Sequence, residues 1–139
     1  MRIELGYPDR IAERALLSGS DRRDMLASLD ACMAPGELVE LQGNAQLVHV
    51  SPALLDYVQA IVEYSRRSPA FAAGLSPRAA LALVHSARAW ALIEGRDKVI
   101  PEDLQAVLPG VAGHRLRPAH DSSRGVDVGA TLIAAVPIP

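Results

Sequence analysis

A small, mainly α-helical bundle of about five or six helices, with one candidate short two-stranded β-ribbon, is the architecture that these 139 residues predict. Three observations carry that prediction. Half the residues are hydrophobic but only 4% are aromatic, so Ala and Leu, both good helix formers, fill the apolar positions. Ser-Pro pairs at 51–52 and 76–77 each open a run of apolar residues at helical spacing. A third such run begins at Pro101, with the acids Glu102 and Asp103 in its first turn. At this length roughly two-thirds of the unfolded surface can be buried, so neither disulfides nor a metal is needed for folding.

The elements follow in order. Residues 1–7 alternate briefly, meet Gly6, and read as an extended lead-in that begins abruptly. Pro8 is expected to open a helix, with Asp9 at its positive end and Ile11, Ala12, Ala15 and Leu16 on one face. Ser18-Gly19-Ser20 ends it. Between 21 and 45 the pattern weakens. Asp24, Met25, Leu26 and Leu29 suggest a short helical or looped segment, and Pro35 starts a helix to Gln42 that Gly43-Asn44 closes as a turn. Gln46–Val50 reads as a short strand.

Ser51 and Pro52 then start a helix to about Arg66, with Leu54, Leu55, Val58, Ile61 and Val62 as its stripe. After a loop from Ser68 to Gly74, Ser76 and Pro77 start a second long helix to about Glu94, stopped by Gly95. Its apolar residues, Trp90 among them, lie almost all round, which predicts a central helix. Lys98-Val99-Ile100 is the candidate partner strand for Val48–Val50. The Pro101 helix buries Leu104, Val107, Leu108 and Val111. Residues 113–125, with Pro118 and Gly125, read as loop, and Thr131–Val136 as a last short helix before Pro137-Ile138-Pro139.

Charge excludes more than it assigns. Fourteen basic and sixteen acidic residues are interspersed and leave a formal net charge of −2, which argues against a nucleic-acid partner. The apolar run Ala79–Ile93 is broken by His85, Ser86 and Arg88, too short and polar for a membrane span. The single Cys32 allows no internal disulfide and suits a reducing compartment, so a cytoplasmic protein is expected. His49, His85, His114 and His120 lack metal-ligand spacing, and no Gly-x-Ser-x-Gly elbow is present. His85 is expected to be partly buried and hydrogen-bonded, and His114-Arg115 to cap the end of its helix.

Three ordered stretches share one likeness. They are Leu5-Gly6-Tyr7-Pro8-Asp9, then Gly74-Leu75-Ser76-Pro77-Arg78-Ala79 through Trp90-Ala91, then Glu94-Gly95-Arg96-Asp97-Lys98-Val99-Ile100-Pro101-Glu102-Asp103-Leu104 with His114-Arg115-Leu116. Together they resemble the C-terminal helical lid of MoxR-type AAA+ ATPases over roughly residues 3–116. The resemblance implies a lid domain over 1–116, with 1–7 as linker from an upstream ATPase core, and 117–139 as a loop and short tail helix. It implies ATP and Mg²⁺ in a parent ATPase, neighbouring subunits in a ring, hexameric by expectation, and chaperone-like remodelling of a client protein. The sequence departs from the family's ATPase core decisively. The single lysine, Lys98, lies in no Gly-x-x-x-x-Gly-Lys loop, and a Walker B acidic pair is missing, so this chain alone is not expected to hydrolyse ATP.

Arg78 is the leading site residue. A cation beside a helix start is locally unfavourable unless an anion compensates it. The resemblance makes it the sensor-2 arginine, which reaches the γ-phosphate and couples nucleotide state to lid angle; the plainer reading is a surface ion pair with Glu63 or Glu94. The resemblance places Tyr7 and Pro8 at the adenine pocket, and the plainer reading packs Tyr7 against Ile11 as a hydrophobic staple. Arg96-Asp97 reads better as a loop salt bridge supporting a first turn than as a subunit contact. The rival functions are an independent helical protein-interaction module, which predicts an exposed apolar groove, and a stand-alone enzyme, for which no cluster of perturbed groups is visible.

Overall fold

In a computed structural model of the chain, the described residues are 1–19, 22–26, 28–119 and 127–138. Ser20, His120, Gly125 and Pro139, named above, lie outside them. Seven helices are formed among the described residues: α1 (Arg10–Ser18), α2 (Arg22–Leu26), α3 (Pro35–Leu47), α4 (Pro52–Arg67), α5 (Pro77–Ile93), α6 (Pro101–Ala112) and α7 (Val128–Ala135). The mainly helical bundle is therefore as the sequence predicts, and no described helix is long and apolar enough to cross a membrane.

The caps explain most boundaries. Ser51 Oγ accepts from the Leu54 N–H at 3.2 Å, and Ser76 Oγ from the Ala79 N–H at 3.2 Å, with a proline at each first turn. α1 departs by two residues. Asp9 is its cap, accepting from the Ala12 N–H at 2.7 Å, so Pro8 stands outside the helix. At the end of α5, Gly95 takes φ +73° and Arg96 N–H donates to the Ala91 carbonyl at 2.8 Å, closing the last turn in the left-handed conformation open to glycine.

The ribbon contracts to a single parallel bridge between His49 and Lys98. His49 N–H donates to Asp97 O at 2.8 Å, and Val99 N–H to His49 O at 2.9 Å. The reason is that α3 runs on through Gly43-Asn44 to Leu47 and takes up Gln46 and Leu47 of the expected strand. A glycine inside a helix costs about 1 kcal/mol, which the packing of α3 on α5 can offset.

The core is built from α4, α5, α6 and α7. Tyr57 and Ile61 of α4, Leu83 of α5, Leu104 and Leu108 of α6, and Leu132 of α7 are fully buried. The other buried residues of α5 are Ala79, Ala87 and Ala91, small side chains that let neighbouring backbones approach. Gln105 Nε2 donates to Tyr57 Oη at 3.1 Å and joins α6 to α4. The tail helix α7 packs on α6 and α4. At the end of α6 the Arg115 guanidinium donates to the Val111 carbonyl, as a cation near a helix C-terminus should.

Two expectations for α5 are corrected. It is not buried all round: Leu81, Trp90 and Ile93 are exposed, so Trp90 is not core. His85 is exposed as well. Leu81 and His85 lie on the side of the helix away from the Ala79–Leu83–Ala87–Ala91 stripe, whereas Trp90 stands beside the stripe and is left partly open.

Arg96 pairs not with its neighbour Asp97 but with Asp103, whose carboxylate is 1% exposed. The same carboxylate accepts from the Ile100 N–H at 3.0 Å, so one buried acid holds the turn after α5 and the first turn of α6. Replacing Asp103 by alanine leaves Arg96 and the Ile100 N–H without that acceptor. Urea unfolding of Asp103→Ala should show a loss of about 3 kcal/mol, against less than about 0.5 kcal/mol for the exposed Leu81→Ala.

Candidate functional site

Arg78 stands on the second residue of α5, and its position is determined by the three residues before the helix. Leu75 is buried and held at both backbone groups. Its N–H donates to Ser65 Oγ at 3.0 Å, and its carbonyl accepts from Arg66 Nε at 2.9 Å. Ser65 is itself 1% exposed and donates to the Val62 carbonyl at 2.7 Å. Gly74 lies against α4 so tightly that a Cβ there would stand 2.5 Å from Arg66 Cα and 2.8 Å from its backbone N. Ser76 then caps the helix and Pro77 fixes the backbone angle φ of its first turn. Consecutive residues of α4 thus grip the strand-like lead into α5, and Arg78 follows within one turn.

The Arg78 side chain is exposed and shares a helix face with Leu81 and His85. Neither ion pair offered by the sequence forms. Glu63 bonds Arg67 at 2.7 Å, and Glu94 lies at the other end of a 17-residue helix, roughly 24 Å away by helical rise. Among the described residues Arg78 has no salt-bridge partner. A cation near a helix N-terminus costs about 0.3–1 kcal/mol, so this arginine is placed against its own stability and can serve an anion brought from outside the described residues.

Tyr7 and Pro8 are not joined to Arg78 by any hydrogen bond or ion pair among the described residues. Tyr7 is fully exposed and Ile11 nearly so, at 82%, so the hydrophobic staple is not made. The lead-in is attached elsewhere, through Arg2 N–H to the Gly110 carbonyl of α6 at 2.7 Å. An open apolar groove of about 510 Å³ runs between α4 and α5, lined by Leu55, Val58, Val62, Pro77 and Leu81. Its character suits side chains, not phosphates. Among the described residues no three of His, Cys, Asp and Glu converge as metal ligands.

Sequence reasoning missed Ser65 and Arg66. Both fall in the last turn of a helix read for its apolar stripe, where a serine and an arginine look like ordinary surface residues. Gly74 ahead of Leu75-Ser76-Pro77 was the available sign, since a glycine before a cap can mark a close backbone approach.

The family described as the AAA lid domain matches residues 63–132. The chain is 35% identical over 130 residues to the chaperone MoxR1 of Mycobacterium tuberculosis (strain ATCC 25618 / H37Rv), covering 87% of this chain and 34% of that one. It is 40% identical over 110 residues to the protein MoxR of Paracoccus denitrificans, covering 66% and 32%. It is 32% identical over 115 residues to the protein YeaC of Bacillus subtilis (strain 168), covering 83% and 36%. The chain therefore spans about a third of the length of these relatives. A crystal structure of a candidate ATPase from Cytophaga hutchinsonii ATCC 33406 superposes with a TM-score of 0.77 over 100% of this chain and 46% of that one. At 24% identity that likeness shows the fold.

If Arg78 is placed for an external anion, removing it should not weaken the fold. Thermal and urea unfolding of Arg78→Ala should stay within about 0.5 kcal/mol of the wild type. A loss above about 1.5 kcal/mol would show that the side chain has a structural partner.

Proposed function

The chain belongs to the AAA lid domain family, as the helical lid of a MoxR-type AAA+ ATPase, and on that premise we propose that Arg78 is its sensor-2 arginine. The observation that carries the proposal is an exposed guanidinium, without an ion-pair partner among the described residues, on a helix start that α4 holds in place. In the parent protein Arg78 faces the γ-phosphate of ATP when the lid closes. A rigid, planar cation there neutralises charge on the transferring group without reorganising. ATP and its Mg²⁺ supply the phosphoryl chemistry, and Arg78 fits the phosphate end of that ligand. The triphosphate cradle and the metal ligands belong to the ATPase core.

The remaining parts are assigned on the same reading. Residues 1–116 form the lid, with 1–7 its linker from the core, and α7 is the tail helix packed against it. Tyr7 and Pro8 border the adenine side when the core is docked. Full exposure of Tyr7, together with exposed Ile3, Leu5, Ile11, Leu17 and Leu26, supports a surface that the core and neighbouring ring subunits cover. Lid positions that differ in affinity for ATP and ADP would then couple turnover to chaperone-like remodelling of a client protein. A cytoplasmic hexamer is the assembly we propose.

One observation favours a second reading. The apolar groove between α4 and α5 is what an independent protein-interaction module would present. Steady-state ATP turnover of the full-length parent separates the two. Arg78→Ala should lower kcat by about a hundredfold with folding intact. Unchanged turnover would reject the nucleotide role and leave the interaction module.

A further inference from the structure

We propose that Ser65 and Arg66 are positioning residues for Arg78, acting through the backbone of Leu75; this rests on the reading of Arg78 given above. Four observations converge on one peptide segment. Leu75 has both polar backbone groups bound by adjacent residues of α4, at 3.0 Å from Ser65 Oγ and 2.9 Å from Arg66 Nε. The Ser65 hydroxyl has a fixed sense, because its proton is committed to the Val62 carbonyl at 2.7 Å and it can only accept from Leu75. Gly74 rests on the Arg66 backbone, which prevents the segment from sliding along α4. Ser76 and Pro77 then leave the first turn of α5 little freedom.

The chemistry of Arg66 is informative. Its neighbour Arg67 pairs with Glu63, one turn back, as an exposed helical arginine ordinarily does. Arg66 instead directs its Nε to a neutral carbonyl on the approach to the next helix. Lys could not place a donor at that point of the side chain in the same planar geometry. The bond fixes the azimuth and height of the α5 start relative to α4, and Arg78 lies three residues beyond Leu75. Errors of about 1 Å in a group that must meet a transferring phosphoryl cost turnover without costing ground-state affinity in proportion.

The test is a double-mutant cycle on steady-state ATP turnover of the full-length parent, with Ser65→Ala and Arg66→Met made in the wild type and in Arg78→Ala. With Arg78 present, each should lower kcat by about tenfold while KM stays within about twofold. Added to Arg78→Ala, each should change kcat by less than about twofold, because the side chain they position is gone. Equal losses in both backgrounds, or no loss with Arg78 present, would overturn the proposal and reduce the contacts to fold maintenance. No effect of Arg78→Ala itself would instead overturn the sensor-2 reading, and this inference with it. Should Ser65→Ala fail to fold, because Leu75 then holds a buried unsatisfied N–H, Arg66→Met decides alone, since Arg66 is exposed and keeps its aliphatic stem.

Discussion

Confinement of α5 between α3, α4 and α6 is the constraint from which the remaining geometry follows. Its buried stripe is three alanines and one leucine, so the helix is held less by interlocking side chains than by closeness of backbones. Such a helix could slide or rotate if only dispersion held it. Directional bonds at its two ends prevent that. Ser65 and Arg66 bind the segment before it, and at the far end the Gly95 turn delivers Arg96 to the buried carboxylate of Asp103. In both devices side chains of a neighbouring helix bind a segment that flanks α5, and both would be costly to leave half made.

The molecule falls into two regimes of burial. From Val48 onward the described elements contribute to one core, and α7 returns to close it with Leu132. Before Val48 neither α1 nor α3 has a buried residue, although α1 carries a clear apolar face. An isolated helix of nine residues is marginal in water. Burying one leucine-sized side chain contributes about 1.5–3 kcal/mol, so covering Ile11 and Leu17 would add substantially to its stability. The proposed parent supplies such a cover in its ATPase core and adjoining subunits.

Legibility in the sequence followed locality. Ser51-Pro52, Ser76-Pro77 and the acids after Pro101 report on bonds made within three residues, and each of these helices begins where they place it. The stripe Leu54, Val58, Ile61 and Val62 is buried because burial of a repeating face needs only the period to be right. Gly43-Asn44 misled because a turn dipeptide states a preference of only about 1 kcal/mol, and α3 continues through it to Leu47. Trp90 and His85 misled for the opposite reason, since hydrophobicity all round a helix does not say how many neighbours it has. At the candidate site, Arg78 was legible from its place after a cap, whereas the grip on Leu75 joins residues nine and ten apart and leaves no periodic trace.

The same bonds decide how a lid of this kind can move. On the proposed reading, closure over a nucleotide requires Arg78 to travel relative to the phosphates while keeping its orientation within the lid. A flexible α4–α5 junction would dissipate that motion, but here the junction has both backbone groups of Leu75 bound and Gly74 in contact with α4. The α5–α6 turn is tied by a buried ion pair, and α7 packs on α6 and α4. A body so fastened turns as a unit. Described tertiary bonds are fewest in the residues before Pro35, where the link to the core is the Arg2–Gly110 hydrogen bond, and bending is expected there. Small rotations there are delivered undiminished to Arg78. On the proposed reading, a change in nucleotide would reach the neighbouring subunits in this way, with no intermediate loop required to rearrange.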